Sequence, residues 1–209
     1  MTEKPEAAAL FTEWDERYSS VIDQLPESRP NATVVNEITG RPTGSALDIG
    51  CGMGADAVWL ATKGWNVTAL DASQVALDRA AAAAEQAGVQ VNWLRSRLED
   101  LTLPPGGYDL VTAHYPALLH SPGQDAERAL LAAVAPGGLL LVVHHADIDV
   151  GMARSHGFDP AVYLLHDDVA ALLGEGWDVT VDRHRPRDVP AGLDGQHTHD
   201  DVLLARRAR

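Results

Sequence analysis

The sequence predicts an α/β fold: a doubly wound sheet of seven strands, mostly parallel, with an antiparallel last strand. Three observations predict it. Apolar runs of strand length alternate with helix-length stretches from Ser45 onward, the pattern of successive strand–helix units. The first of these runs, Ser45 to Ile49, opens directly into Gly50-Cys-Gly-Met-Gly54, a turn that its glycines keep clear of side chains. The last two runs are joined by Arg185 to Asp200 with no helical pattern, and a parallel pair would need a crossover helix.

The elements follow in order. A first helix is expected near Pro5 to Tyr18, and a second near Pro30 to Ile38, starting at Ser28 or Asn31. Strand one is Ser45 to Ile49, and its helix, Ala55 to Lys63, stops at Gly64. Strand two is Trp65 to Leu70. Ser73 caps a helix that runs through the alanine-rich stretch to Ala87 and stops at Gly88. Strand three is Val89 to Leu94 and strand four Tyr108 to Ala113. A helix from Asp125 to Val134 ends at Pro136-Gly-Gly138, before strand five, Leu139 to His144. A helix at Asp167 to Leu173 precedes strand six, Trp177 to His184, and strand seven, Asp201 to Ala205. We read residues 1–209 as a single domain: a helical cap over 1–40, and a core over 41–209 with an insertion near 146–165. That insertion is long for a plain connection and suits a substrate wall, with Met152 and Phe158 as its apolar lining.

Composition narrows the partners. The net charge of −14 argues against nucleic acid, which calls for a basic patch. No apolar run reaches the length of a membrane span. The first residues show no basic and apolar leader, and the chain has a single cysteine, Cys51, so a reducing cytoplasm is expected. Oligomeric state is not readable.

The glycine turn is a nucleoside site. Asp71 ends the second apolar run, where its carboxylate can accept from a ribose diol. Gly50, Gly52 and Ala55 also fit Gly-x-Gly-x-x-Ala, so the glycines alone leave NAD open, and with it an NAD(P)-dependent oxidoreductase. Asp48 weighs against NAD: a carboxylate at that helix start repels a pyrophosphate but suits an ammonium and a sulfonium. Asp48-Ile-Gly-Cys-Gly-Met-Gly54 with Asp71 resembles the class I S-adenosylmethionine-dependent methyltransferases. The resemblance implies their Rossmann-like sheet with strand order 3-2-1-4-5-7-6, and S-adenosylmethionine as cofactor. More weakly, Trp14-Asp-Glu-Arg-Tyr18 and Pro136-Gly-Gly138 are similar to the small-molecule branch of tellurite-resistance and thiopurine methyltransferases.

Carried onto this chain, the resemblance implies that Asp48 orients the methionine ammonium, with Gly50, Cys51 and Gly52 against the ribose and methionine. Asp71 takes the ribose hydroxyls and Ala72 packs on adenine. After strand three, Arg97 stands where the family often has an acid. Guanidinium cannot accept from the adenine amine, so that contact passes to Leu98 and Glu99. Ala113 and His114 line the methionine end.

Methyl transfer needs an in-line nucleophile and, for a hydroxyl, a base. His114 and His145 are the candidate bases, because histidine titrates near neutral pH. Tyr115 and His144, beside them, and Trp14 and Tyr18, at i and i+4 on the first helix, are candidate substrate contacts. His197 and His199 with His144 and His145 could hold a metal, but no cysteine joins them and no closed zinc spacing is met; none is assigned. The expected activity is methyl transfer to a small-molecule acceptor. A domain that binds S-adenosylmethionine without turnover is the third reading.

Overall fold

The computed structural model describes residues 5–25, 29–121, 123–155, 159–187 and 198–209. Two compact units divide it, Met1–Pro104 and Pro105–Arg209.

The first unit begins with α1 (Pro5–Val21) and α2 (Ala32–Ile38). Asn31 is the α2 cap, its side chain accepting from the Thr33 amide at 2.8 Å; Ser28 lies outside the described residues. β1 (Ser45–Ile49) leads through the glycine turn into α3 (Ala55–Thr62), and β2 (Asn66–Asp71) into α4 (Gln74–Ala87). Ser73 caps α4 by accepting from the Ala76 amide, and Gly88 closes it in the left-handed conformation. β3 (Asn92–Arg95) starts three residues later than its apolar run. The reason is the helix before it: the Val89 amide still donates to the Ala84 carbonyl at 3.0 Å, completing the closure of α4. β2 pairs in parallel with both β1 and β3, and Asp71 closes β2 opposite Arg95.

The second unit holds β4 (Tyr108–His114), α5 (Asp125–Ala133), β5 (Val134–His145), α6 (Val150–Ser155), α7 (His166–Leu172), β6 (Trp177–Pro186) and β7 (His199–Arg207). β5 starts before its apolar run. Val134 pairs with Tyr108, and pairing resumes at Leu139 with Leu110, so the Pro136-Gly-Gly138 turn bulges out of the ladder. The β6–β7 ladder shifts between Asp182 and Arg185, where His184 takes φ 56° and its amide donates to Asp201 Oδ1 at 3.0 Å. β7 runs antiparallel to both β5 and β6, as the sequence pattern predicts. The seven strands follow the order β3-β2-β1-β4-β5-β7-β6.

β1, β4 and β5 are apolar for most of their length and buried along it, from Ala46 to Ile49, Leu110 to Ala113 and Leu139 to Val143. No helix among the described residues is long and apolar enough to cross a membrane.

Candidate active site

In the first unit, the glycine turn and the end of β2 are tied together by one carboxylate. Asp71 Oδ2 accepts from the Gly52 amide and Oδ1 from the Ser73 amide, each at 2.8 Å. A carboxylate has about four acceptor positions, so Asp71 keeps capacity for a ligand hydroxyl beside its backbone amides. The side chain is 7 % exposed. Burial lifts its pKa above the ordinary value, the amides of Ser73, Gly52 and Ala72 pull it back, and the Asp15 charge adds to the lift.

Gly52 sits at φ 51°, and a Cβ there would stand 2.8 Å from the Tyr18 hydroxyl. α1 therefore lays Tyr18 directly over the turn. Burial first, then the charge of Asp71, raises the Tyr18 phenol well above its ordinary pKa, so it stays a neutral donor. Trp14 is a ring neighbour of Tyr18 at 6.3 Å and carries Arg17 over its face. Gly54 has a packing reason: a Cβ would meet Ala80 at 2.7 Å and the Trp93 ring at 2.8 Å.

α1 is pinned by Asp15, which the sequence reading missed. Its Oδ1 accepts from the Ser73 hydroxyl at 2.8 Å and the Val75 amide at 3.2 Å, while Oδ2 pairs with Arg95. Its signal was its place between Trp14 and Tyr18. Asp48 is buried in β1. Cys51 is half-buried in the turn; burial raises its thiol pKa, and Asp48 and Asp71 add to that, so it is no thiolate. Arg97 donates to Asp100 Oδ2 at 2.8 Å, Leu98 is buried, and Glu99 lies beside it in a short 3-10 turn. Ala72 is half-buried, and its carbonyl accepts from Arg95 at 3.1 Å. A surface groove in this unit lies along α4 and the amino ends of β2 and β3, the far ends of those strands from Asp71.

In the second unit, polar side chains gather where β5 ends and β7 begins. Ala113 is fully buried in β4, and His114 ends that strand. Tyr115, next in the chain, takes φ 49°, an unusual backbone for tyrosine. Its ring stacks on His145 at 4.0 Å between centroids, and its hydroxyl donates to Asp200 Oδ2 at 2.8 Å. His145 Nδ1 lies 3.2 Å from Asp200 Oδ1. Arg187 Nε is 3.5 Å from Asp200 Oδ2, with its guanidinium 5.3 Å from the Tyr115 ring centre. Asp200 and Arg187 were missed in the sequence: the strand seven read there began at Asp201, one residue too late to place Asp200 opposite His145.

His144 points the other way from its neighbour. It is buried, its ring 5.8 Å from that of His166. Burial, then His166 and His145, lower its pKa to about 4, so it is neutral. His199 pairs ring to ring with His184, which meets Asp147 at 3.1 Å; His197 lies outside the described residues. Among the described residues no three histidine, cysteine or acidic side chains are placed to hold a metal ion. Met152 is 56 % exposed on α6, and Phe158 lies outside the described residues.

Residues 46–138 match the family model described as a methyltransferase domain. Over that stretch, which is less than half of the chain, the protein resembles the class I S-adenosylmethionine-dependent methyltransferases. The acidic turn, Asp48 before Gly50, is in line with that resemblance. A stretch of 55 residues is 49 % identical to the ubiquinone biosynthesis O-methyltransferase of Rickettsia canadensis, covering 26 % of this chain and 23 % of that protein. An uncharacterized methyltransferase of Synechocystis sp. is 29 % identical over 201 residues, covering 85 % of this chain and 91 % of that one. The fold is shared with the 1,6-didemethyltoxoflavin-N1-methyltransferase of Burkholderia thailandensis, solved with its substrate and S-adenosylhomocysteine. There the TM-score is 0.68 at 18 % identity, covering 100 % of this chain and 92 % of that one.

Proposed function

We propose that this protein is a methyltransferase that moves a methyl group from S-adenosylmethionine to a small-molecule acceptor. The observation that carries the cofactor half is Asp71: a buried carboxylate at the end of β2, held by the Gly52 and Ser73 amides with acceptor capacity to spare. When bound, the cofactor supplies an already activated methyl group. The protein's tasks are to hold it, orient the acceptor and receive a proton.

Asp71 accepts the ribose hydroxyls, Asp48 faces the methionine ammonium, and Gly50, Cys51 and Gly52 supply close backbone. Ala72, Leu98 and Glu99 flank adenine, and Ala113 and His114 meet the methionine end. Tyr18 and Trp14 on α1 cover the turn, and Tyr115 lines the acceptor side. Of the two candidate bases, His145 has a carboxylate within reach and a side chain 26 % exposed, which favours it over His114. His144, buried and neutral, stands behind His145 and packs rather than contacts the acceptor.

A small acceptor is favoured by the net charge of −14, which repels polyphosphate substrates. The fold neighbour solved with 1,6-didemethyltoxoflavin bound points the same way. The lone cysteine fits a cytoplasmic setting, and we read the chain as one functional domain.

Thermal unfolding with S-adenosylmethionine, S-adenosylhomocysteine, NAD and NADP in parallel tests the cofactor half. A ligand at a hundred times its Kd stabilises by about 2.7 kcal/mol. Midpoints that rise with the two S-adenosyl ligands alone support the proposal. A rise with NAD or NADP alone sinks it.

A further inference from the structure

Asp200 is buried, 2 % exposed, at the start of β7, opposite His145 in the β5–β7 ladder. A carboxylate taken this far from water needs its charge answered by donors. It has three around it: the Tyr115 hydroxyl at 2.8 Å, His145 Nδ1 at 3.2 Å and Arg187 Nε at 3.5 Å. Arg187 also approaches His145 Nδ1, at 3.4 Å. Guanidinium only donates, so the two demands on that nitrogen conflict. The closer contact, to Asp200, settles it: Nδ1 carries the hydrogen and Arg187 turns to the other carboxylate oxygen.

That assignment has a chemical consequence. An imidazole with its hydrogen on Nδ1 presents a basic Nε2. Tyr115 lies flat against the ring, and its left-handed backbone is the kind of local strain that clusters at functional sites. The ring is thus oriented by a carboxylate on one edge, fixed by stacking on one face, and 26 % exposed. The carboxylate–imidazole arrangement by which hydrolases activate a hydroxyl has the same logic.

We propose that Asp200 is the positioning residue of a His145 base, and that the acceptor is therefore a hydroxyl rather than a thiol. This rests on the methyltransferase reading above and deepens it. His145 Nε2 takes the hydroxyl proton, and an oxygen electron pair forms the new C–O bond to the methyl carbon. The electron pair of the broken C–S bond stays on sulfur, and the imidazolium then returns its proton to solvent. A thiol, about half ionised at a pH near its own pKa, would need no such base.

The test is NMR on the full chain with 15N-labelled histidine, at a pH where His145 is neutral. Wild type is expected to show His145 with the hydrogen on Nδ1. Asp200→Asn is expected to lose that preference, while Tyr115→Phe, which removes only the tyrosine–carboxylate bond, keeps it. A dominant Nε2–H form in wild type overturns the proposal, as does an unchanged tautomer in Asp200→Asn. S-adenosylhomocysteine binding, measured by calorimetry on the same samples, separates the two readings. If it fails to bind, the cofactor assignment falls, while the tautomer still judges Asp200. Product mass spectrometry with S-adenosylmethionine and equimolar catechol and thiophenol then tests the acceptor class. An O-methyl product that drops about 100-fold in Asp200→Asn supports the assignment, at the low end of what a general base contributes. An S-methyl product alone, or equal losses on both acceptors, overturns it.

Discussion

Asp71 and Gly52 show how much a single residue can settle here. Asp71 is the acceptor for two backbone amides and, in the proposed complex, for a ribose. Asp71→Asn keeps the shape but turns one oxygen into a donor. A charge-assisted hydrogen bond is worth about 1.5–3 kcal/mol, so calorimetry should find S-adenosylhomocysteine bound roughly 10- to 100-fold more weakly. An unchanged affinity would place the ribose elsewhere. Gly52 makes a separate prediction. Its backbone lies in the left-handed region, and a side chain there would also meet the Tyr18 hydroxyl. Gly52→Ala should lower stability to urea by about 1–2 kcal/mol from the backbone alone, with the clash in addition. Tyr18→Phe in the same chain should recover the clash and leave the backbone part. A double variant as stable as wild type would show that φ carries no cost at this turn. Both residues could be found in the sequence, because a run of glycines and a carboxylate ending an apolar run are visible without any knowledge of contacts.

At the scale of elements, α1 is the informative case. Its sequence shows a helix with an aromatic pair, but nothing in a helical period says what it packs on. Asp15 answers that by capping the start of α4, through Ser73 and Val75, and by pairing with Arg95. Asp15→Ala should cost about 1–3 kcal/mol, since it strips charged acceptors from partly buried donors. Hydrogen exchange should speed up in α1 more than in α4, which keeps its own Ser73 cap. Equal protection in the variant and wild type would mean that α1 is held by its apolar face alone. The strand ends tell a similar story. β3 starts late because the preceding helix closes over Val89, and β5 starts early because a bulge absorbs Pro136-Gly-Gly138. Both corrections are hydrogen-bonding choices that hydrophobic runs do not record.

For the whole molecule, the buried histidine of β5 sets an acid limit. His144 titrates near pH 6.5 when unfolded and at about 4 when folded, chiefly because burial disfavours its charge. Between those values the unfolded chain binds the extra proton, so its stability contribution is present above the unfolded pKa and is lost as pH falls toward 4. The full loss from this group is about 3 kcal/mol. Urea unfolding from pH 7 to pH 4 should show it, and His144→Gln should flatten that part of the curve. An identical slope in the variant would assign the acid sensitivity to other groups.

Sequence alone determined the parts of this protein that depend on neighbours along the chain: the strand–turn–helix of the glycine motif, the Ser73 cap, Asp71 at a strand end, and an antiparallel last strand where the sequence carries no helical pattern. These follow from backbone conformation and capping, which act within a few residues. Tertiary structure alone decided which side chains meet. Asp15 reaches Ser73 across 58 positions, and Asp200 reaches Tyr115 across 85. Such pairs depend on strand register, where a shift of one residue turns every side chain to the opposite face. It was register that set Asp200 opposite His145 at the end of β5.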